Sequence, residues 1–399
     1  MALLNIAVVG TGARAQAHLG TIARLTDLYS LVGVADADAA RRDAVAGQYH
    51  VPGHAAVDEL LDSTKPDVLY VIVPPDGHHA MTEAAARRGI HVISEVPIAT
   101  TLPMADAMIA TARQHGVKLE IAENVWRWPN ERLKRQIVEA GLIGRVTQFH
   151  LWYTSGSYHG LSAVRNVIHA APARVLGVAH DVETPERRDL QGRPRRMQSW
   201  ELGVIEFADG STCVYQQPIH RARGNYWEIV GTEGYIAGNE LVIERGDPRR
   251  YSIETVTEQG ESGNVLVSVR VATDPPIVWE NPYRRYGLPS ADDVSRADVL
   301  AGMHRAIVDN VEPGYGAENA RTDQAILLAL RESARRGSVW IDLPLTDITG
   351  IERTIHDEYR ARYGRDPLEG VAALAATTYP RQGISQYVRG GRGDEARGR

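Results

Sequence analysis

The first fifteen residues constrain this chain more than any other stretch. An apolar run, Leu3-Leu4-Asn5-Ile6-Ala7-Val8-Val9, feeds Gly10-Thr11-Gly12-Ala13-Arg14-Ala15. From Ala13 to Leu25, apolar residues recur at helical spacing (Ala15, Leu19, Ile22, Ala23, Leu25). Strand, glycine-rich turn and helix in that order are the setting in which a G-x-G-x-x-G/A pattern binds a dinucleotide. Gly10 permits the tight turn, Gly12 lets a pyrophosphate approach the backbone, and the small Ala15 lets the helix pack on the strand. The helix start aims unbonded N–H groups and its positive dipole end at the phosphates, with Thr11, Ala13 and Arg14 filling the rest of the turn.

The second strand sharpens this reading. Leu31-Val32-Gly33-Val34-Ala35 ends in Asp36, about twenty-four residues after Gly12. A carboxylate there accepts hydrogen bonds from the adenosine ribose hydroxyls and repels a 2′-phosphate, so NAD is expected over NADP. Arg41 and Arg42 stand close enough in sequence to temper that preference.

Strand-like and helix-like patterns alternate to about residue 123. Helices are expected at 39–49, 57–61, 79–88 and 104–114, and strands at 68–73, 91–94 and 118–122. That alternation, with nearly continuous apolar strands, predicts an α/β fold: a parallel, doubly wound sheet covered on both faces. Ligands of such sheets sit beyond the C-terminal strand ends. Three loops occupy that edge: Pro74-Pro75-Asp76-Gly77-His78, Glu95-Val96-Pro97 and Glu123-Asn124.

These loops, with the opening turn and Asp36, resemble the Gfo/Idh/MocA superfamily (glucose–fructose oxidoreductase and inositol dehydrogenase type). Its members share the opening G-x-G, an Asp after the second strand, a Pro-containing loop with a His, and a Glu-Lys-Pro loop. The stretch from His78 through RRGIHVISEVP is similar in spacing and residue type. So is GYGAENARTDQAILLALRESARRG followed by VWIDLPL, and the resemblance covers roughly residues 3 to 345. It implies that Pro74, His78, Glu95, Pro97 and Asn124 border the cofactor.

The second half changes character. A helix over 130–140, capped by Gly141, leads through Gly144 into a strand over 146–153. Trp200–Phe207 is expected to pair with Thr212–Gln216 across Asp209-Gly210, and Tyr226–Val230 with Tyr235–Ala237 across Glu233-Gly234. The expectation is a Rossmann domain over 1–123 and an α+β domain with a mostly antiparallel open sheet over 124–388, for substrate binding and oligomerisation. A flexible Gly- and charge-rich tail over 389–399 follows. In the family, one face of this second sheet covers the cofactor and the other is commonly a dimer surface; strands such as Trp200–Phe207 carry apolar residues on both faces. A homodimer or homotetramer is therefore expected.

Composition narrows the partners. A formal net charge of −6 with both signs interspersed argues against nucleic acid. No run of 18 apolar residues exists, and the start shows no basic leader or cleavage pattern, so no membrane partner and a cytoplasmic location are expected. The one cysteine, Cys213, lies in a strand-like run and reads as a small core residue. No paired Cys/His spacing suggests a metal.

Hydride transfer from an alcohol needs a proton acceptor for the hydroxyl. Typical family dehydrogenases use the Lys of Glu-Lys-Pro and a D-x-x-x-H pair. Here the Lys position is Val96, and the pair falls on Ser155-Gly156-Ser157-Tyr158-His159, so only the His remains. His159 is the first candidate acid/base, because imidazole titrates near neutral pH; Tyr158 is the second. The competing reading of His159 is a cap for a helix beginning near Leu161. Trp126 and Arg127, in Asn124-Val125-Trp126-Arg127-Trp128-Pro129, suit a sugar through stacking and donation to hydroxyls, or equally through plain packing. Arg165, six residues after His159, is a further substrate candidate. His220, Arg221 and Arg223 read as a solvated strand connection.

Three functions stay open on this sequence. The first is an NAD-dependent dehydrogenase of a sugar, inositol or related polyol. The second is a redox-neutral NAD-dependent glycosidase of the same superfamily, whose α-N-acetylgalactosaminidase branch is similar in its Glu-Val-Pro loop and following Glu-Asn. The third is a non-catalytic sugar sensor.

Overall fold

The computed structural model describes residues 2–153, 157–188, 194–217, 224–260, 263–381 and 383–385. The stretches 154–156, 189–193, 218–223 and 386–399 lie outside them, and with them Ser155, His220, Arg221, Arg223 and the tail over 389–399.

The chain forms two compact units. The first comprises Met1–Glu123, Ser295–Gln324 and Glu352–Ser385; the second comprises Asn124–Val294, Ala325–Ile351 and Gln386–Arg399. The sequence predicts a single second domain over 124–388. Two segments instead join the first unit, and buried polar groups show why. The wholly buried Glu120 carboxylate accepts the Gly316 amide (2.9 Å) that opens the helix at Gly316–Arg335, which places a negative charge at a helix N-terminus. The hydroxyl of Tyr29 donates to the Leu300 carbonyl (2.8 Å).

In the first unit the order is β1 (Leu4–Val9), α1 (Ala13–Ile22), β2 (Tyr29–Ala35), α2 (Ala39–Tyr49), β3 (Gly53–His54), α3 (Val57–Thr64), β4 (Val68–Val71), α4 (His78–Ala86), β5 (His91–Ser94), α5 (Leu102–Gln114) and β6 (Leu119–Ile121). The six strands are parallel in the order β3-β2-β1-β4-β5-β6. The direction of winding reverses between β1 and β4, and the loops after those two strands flank the crevice that such a reversal creates. β4 is buried at every residue, as a central parallel strand covered on both faces must be.

The second unit begins with α6 (Pro129–Glu139), β7 (Val146–Trp152) and α7 (Ser157–Val167), then β8 (Pro172–Arg188), β9 (Pro194–Phe207), β10 (Thr212–Gln217), β11 (Tyr226–Gly231), β12 (Gly234–Ala237), β13 (Glu240–Ile243), β14 (Arg249–Gly260), β15 (Gly263–Val271) and β16 (Ile277–Glu280). Along the chain there follow α8 (Ala291–Val308), α9 (Gly316–Arg335), β17 (Ile341–Asp342), α10 (Gly350–Tyr363) and α11 (Val371–Ala375); of these the second unit takes the end of α9 and β17, while α11 and most of α8 and α10 belong to the first. The sheet has eleven strands and is antiparallel except where β10 runs parallel to β7. Both expected hairpins form, but β9 starts at Pro194 and pairs along its length with β8, a long strand not anticipated from the sequence.

One face of that sheet is closed by the C-terminal half of α9. Gly177 and Gly203 let it approach: a β-carbon at Gly177 would collide with the carbonyl of Leu330. The same contact buries an ion pair between Arg331 and Glu201 (3.0 Å), and Tyr215 donates to Glu201 (2.8 Å). Cys213 sits on β10 with no exposure, and burial pushes its thiol well above the ordinary range, so it is a core residue. No helix among the described residues is long and apolar enough to cross a membrane.

Candidate active site

The crevice of the first unit is built from the glycine turn outward. Gly10 adopts φ +91°, and a β-carbon there would strike the Ile72 carbonyl at the end of β4, so only glycine fits. Gly12, the N-cap of α1, has no atom within 4 Å of where a β-carbon would stand. No side chain caps α1, and Ala13 and Arg14 are exposed, so its first amides face an open surface. Asp36 closes the other side. One of its carboxylate oxygens accepts from the Thr11 amide and hydroxyl (both 2.8 Å); the other accepts from Arg41 (3.0 Å) and the Asp38 amide (2.8 Å). Burial works against the Asp36 charge, but these four donors outweigh it and hold the carboxyl below its ordinary value. An open backbone turn, uncapped helix amides and an ionised carboxylate at hydroxyl-binding position fit a dinucleotide without adjustment.

Glu95 anchors the next loop. Burial alone would raise its carboxyl, but His18, Arg14 and the Val96 amide outweigh that and hold it far below the ordinary range. One oxygen lies 3.0 Å from Arg14 Nε and 2.6 Å from His18 Nε2; the other accepts the Val96 amide (3.1 Å). His18 is buried, which pushes its imidazole down, and Tyr70 lies 2.7 Å from its Nδ1. The lowered imidazole is neutral, with Tyr70 at its Nδ1 and the Glu95 carboxylate facing its Nε2. This Tyr70–His18–Glu95 line was not read from the sequence, because its members are 25 to 77 residues apart and His18 looks like one polar residue on an apolar helix face. The Glu95 side chain thereby braces the Val96-Pro97 loop at the edge of the crevice where the cofactor is expected.

His78 also has partners within the protein. It is wholly buried, its Nδ1 lies 2.8 Å from the Pro97 carbonyl and its Nε2 2.9 Å from the Val73 carbonyl. Burial lowers its pKa and keeps the ring neutral with a single N–H, which donates to one of these two carbonyls, and the ring sits between the loops after β4 and β5. Pro97 is buried, while Pro74 stays half-exposed at the rim of the crevice.

In the second unit, α7 carries three candidates and packs on the short turn Val125–Arg127. It starts at Ser157, earlier than expected, so His159 lies in its first turn and is not a cap preceding it. Gly160 seats the helix on β7, since a β-carbon there would press on Leu151 at 2.6 Å. His159 and Tyr158 are half-exposed neighbours with ring centroids 4.4 Å apart, and Tyr153 lies 6.2 Å from His159. Arg165, also half-exposed, is seven residues from Tyr158 and shares its helix face; six residues from His159, it does not share that one.

Three other candidates lie close together in the second unit. Trp126 is 9% exposed and carries the guanidiniums of Arg127 and Arg132 at 4.5 and 4.2 Å from its ring centre, so it packs on cations. Arg127 is itself buried against it. The Asn124 amide donates to Asp292 (3.0 Å), which also accepts from Trp128 (2.8 Å), so Asn124 ties its loop to the start of α8. The sequence also hid a buried cluster in which Glu131 accepts from Lys134 (2.8 Å) and Trp227 (2.9 Å). Among the described residues no group of His, Cys, Asp and Glu is arranged to hold a metal ion.

Comparisons with known proteins agree with this geometry. Residues 4–123 match the GFO_IDH_MocA oxidoreductase family with its NAD-binding Rossmann fold. The 1,5-anhydro-D-fructose reductase of Ensifer adhaerens is 24% identical over 306 residues, covering 71% of this chain and 81% of the relative. Inositol 2-dehydrogenase 1 of Saccharopolyspora erythraea is 26% identical over 254 residues, covering 59% and 73%. The solved structure of a levoglucosan dehydrogenase in complex with NADH has a TM-score of 0.69 at 20% identity, covering 86% of this chain and all of that one. At that identity the likeness shows the shared fold. Residues 4–123, which carry the glycine turn, match the NAD-binding Rossmann fold of the Gfo/Idh/MocA oxidoreductase family.

Proposed function

We propose that the protein is an NAD(H)-dependent oxidoreductase acting on a ring hydroxyl of a sugar or related polyol. The observation that carries this reading is the open backbone at Gly12 beside the ionised Asp36. The substrate class is supported by what related proteins act on: an anhydrofructose reductase, an inositol dehydrogenase, and a levoglucosan dehydrogenase solved with levoglucosan.

When bound, NAD supplies the hydride acceptor for alcohol oxidation. The chain's own residues do the rest. Gly12 and the first amides of α1 hold the pyrophosphate, and Asp36 accepts from the ribose hydroxyls. A ring nitrogen of His159 takes the hydroxyl proton, since Val96 stands where the family has a lysine; Tyr158, 4.4 Å from it by ring centroid, is the relay. Arg165, on the face of Tyr158, donates to substrate oxygens.

Val96 also favours a second reading. Without that lysine, a redox-neutral glycosidase that oxidises, eliminates, hydrates and reduces remains open. Mixing purified protein with NAD and a panel of polyols and glycosides in deuterated water tests both. Stoichiometric NADH without exchange supports the dehydrogenase; ring deuterium in a released sugar, with no NADH absorbance, supports the glycosidase. Neither outcome across polyols and glycosides sinks both.

A further inference from the structure

The helix α4 is buried at all nine residues. A helix on the outer layer of a doubly wound sheet ordinarily keeps a wet face. Here the segment Glu352–Ser385, which lies beyond the region of family resemblance, covers it. α11 packs on α4, and His79 Nε2 lies 2.7 Å from the Pro367 carbonyl.

The same segment converges on two residues of the loop after β4. Asp76 has no exposure, and its carboxylate accepts from the Tyr363 hydroxyl (2.7 Å), the Ile384 amide (2.9 Å) and Arg362 (3.3 Å). Its carbonyl accepts from the Tyr359 hydroxyl (3.1 Å). The Tyr379 ring lies so close to Gly77 that a β-carbon there would stand 2.6 Å from it. The three tyrosines pack on one another, with ring centroids 4.5 Å apart for Tyr359 and Tyr363 and 5.3 Å for Tyr363 and Tyr379.

We infer that Asp76 is a positioning residue for the dinucleotide, through which the C-terminal segment sets the wall of the cofactor crevice. The loop it holds follows β4, and β4 ends against Gly10, so this loop and the glycine turn are the two sides of the switch-point crevice. A carboxylate buried in a loop needs its donors, and every side-chain or backbone donor named for it comes from residues 362–384. Docking of the segment and the shape of the crevice are therefore one equilibrium. The inference rests on the proposed cofactor site. By reciprocity, NAD must stabilise the docked segment by the same factor by which docking strengthens NAD.

Hydrogen exchange on the full-length protein reads this directly, because the Ile384 amide is itself a donor to Asp76. Saturating NAD is expected to slow exchange of the fragment carrying Ile384 at least fivefold. Tyr363→Phe, which removes one donor and keeps the ring, is expected to weaken NAD binding about five- to tenfold, speed that exchange, and leave the exchange of β9 and β10 unchanged. Should Tyr363→Phe fold poorly, Arg362→Gln at the rim of the contact gives the same readouts. Wild-type protein that binds NAD with no change at Ile384 overturns the inference and leaves the proposed function standing. A variant with faster exchange but unaltered NAD affinity also overturns it. Wild-type protein with no NAD affinity at all would instead defeat the cofactor site on which the inference rests.

Discussion

Gly10 stands so close to Ile72 that a methyl group on the first would collide with the carbonyl oxygen of the second. The glycine turn is thus fitted to the end of β4, and its left-handed φ of +91° adds a cost for any other residue. Gly10→Ala is expected to destabilise the protein by about 2–4 kcal/mol and to abolish NAD binding. Urea unfolding and a fluorescence titration check this; NAD affinity at the wild-type level would show that the turn does not meet the cofactor.

Asp36 sets the choice between cofactors. Asp36→Ser removes the ribose acceptor and releases Arg41, now 3.0 Å from it, to meet a 2′-phosphate. NAD affinity is expected to fall about 10- to 100-fold, as for loss of charge-assisted hydrogen bonds, while NADP binding improves. Titrating both cofactors into each protein decides the matter. An unchanged ratio of the two affinities contradicts the role given to Asp36.

His159→Ala is expected to lower turnover about a hundredfold or more with NAD affinity changed less than about twofold. Tyr158→Phe is expected to lower turnover less, as a relay. Full activity in His159→Ala removes it as the proton acceptor and moves the test to Tyr158.

Acid stability follows from His79. Burial is the main cause that lowers its imidazole to about 4, against an ordinary 6.5. The unfolded chain then binds a proton in the window between those values that the folded chain refuses. The stabilisation is complete above pH 6.5 and is lost as pH falls toward 4, amounting to about 3 kcal/mol from this group. His79→Gln keeps a donor for the Pro367 carbonyl and has nothing to titrate. Its stability is expected to vary less between pH 6.5 and 4 than that of wild type; equal slopes in denaturant unfolding would assign the acid sensitivity elsewhere.

The second unit's sheet carries an apolar row on one face: Leu176, Val204 and Val214 are directly paired across β8, β9 and β10, and Val214 is 39% exposed. A second copy of the chain is the expected cover. Val214→Lys is expected to shift the protein toward monomer in light scattering at micromolar concentration. A wild-type monomer would contradict the pairing.

The sequence was most legible where function is local. Gly10, Gly12 and Asp36 each act through backbone shape or a single carboxylate, and their spacing suffices to place them. It was least legible where a side chain answers to a distant partner. His78 and Asn124 sit on the loops where a ligand is expected, but their internal partners, the Pro97 and Val73 carbonyls and Asp292, are not visible in the sequence. Trp126 showed an aromatic beside a cation but not that Arg132, one and a half turns on, would cover it too. The segment beyond residue 350 shows no local pattern that assigns it a role, because its partner is Asp76, 287 positions before Tyr363.

Cys213 gives the molecule a built-in clock. It is the only thiol in the chain, it lies on a central strand of the eleven-stranded sheet, and burial keeps it protonated as well as inaccessible. A thiol reagent can therefore add to the folded protein only when β10 leaves its neighbours β7 and β9. The labelling rate of the intact protein, read without any engineered tag, counts the openings of the second unit alone and is blind to those of the first.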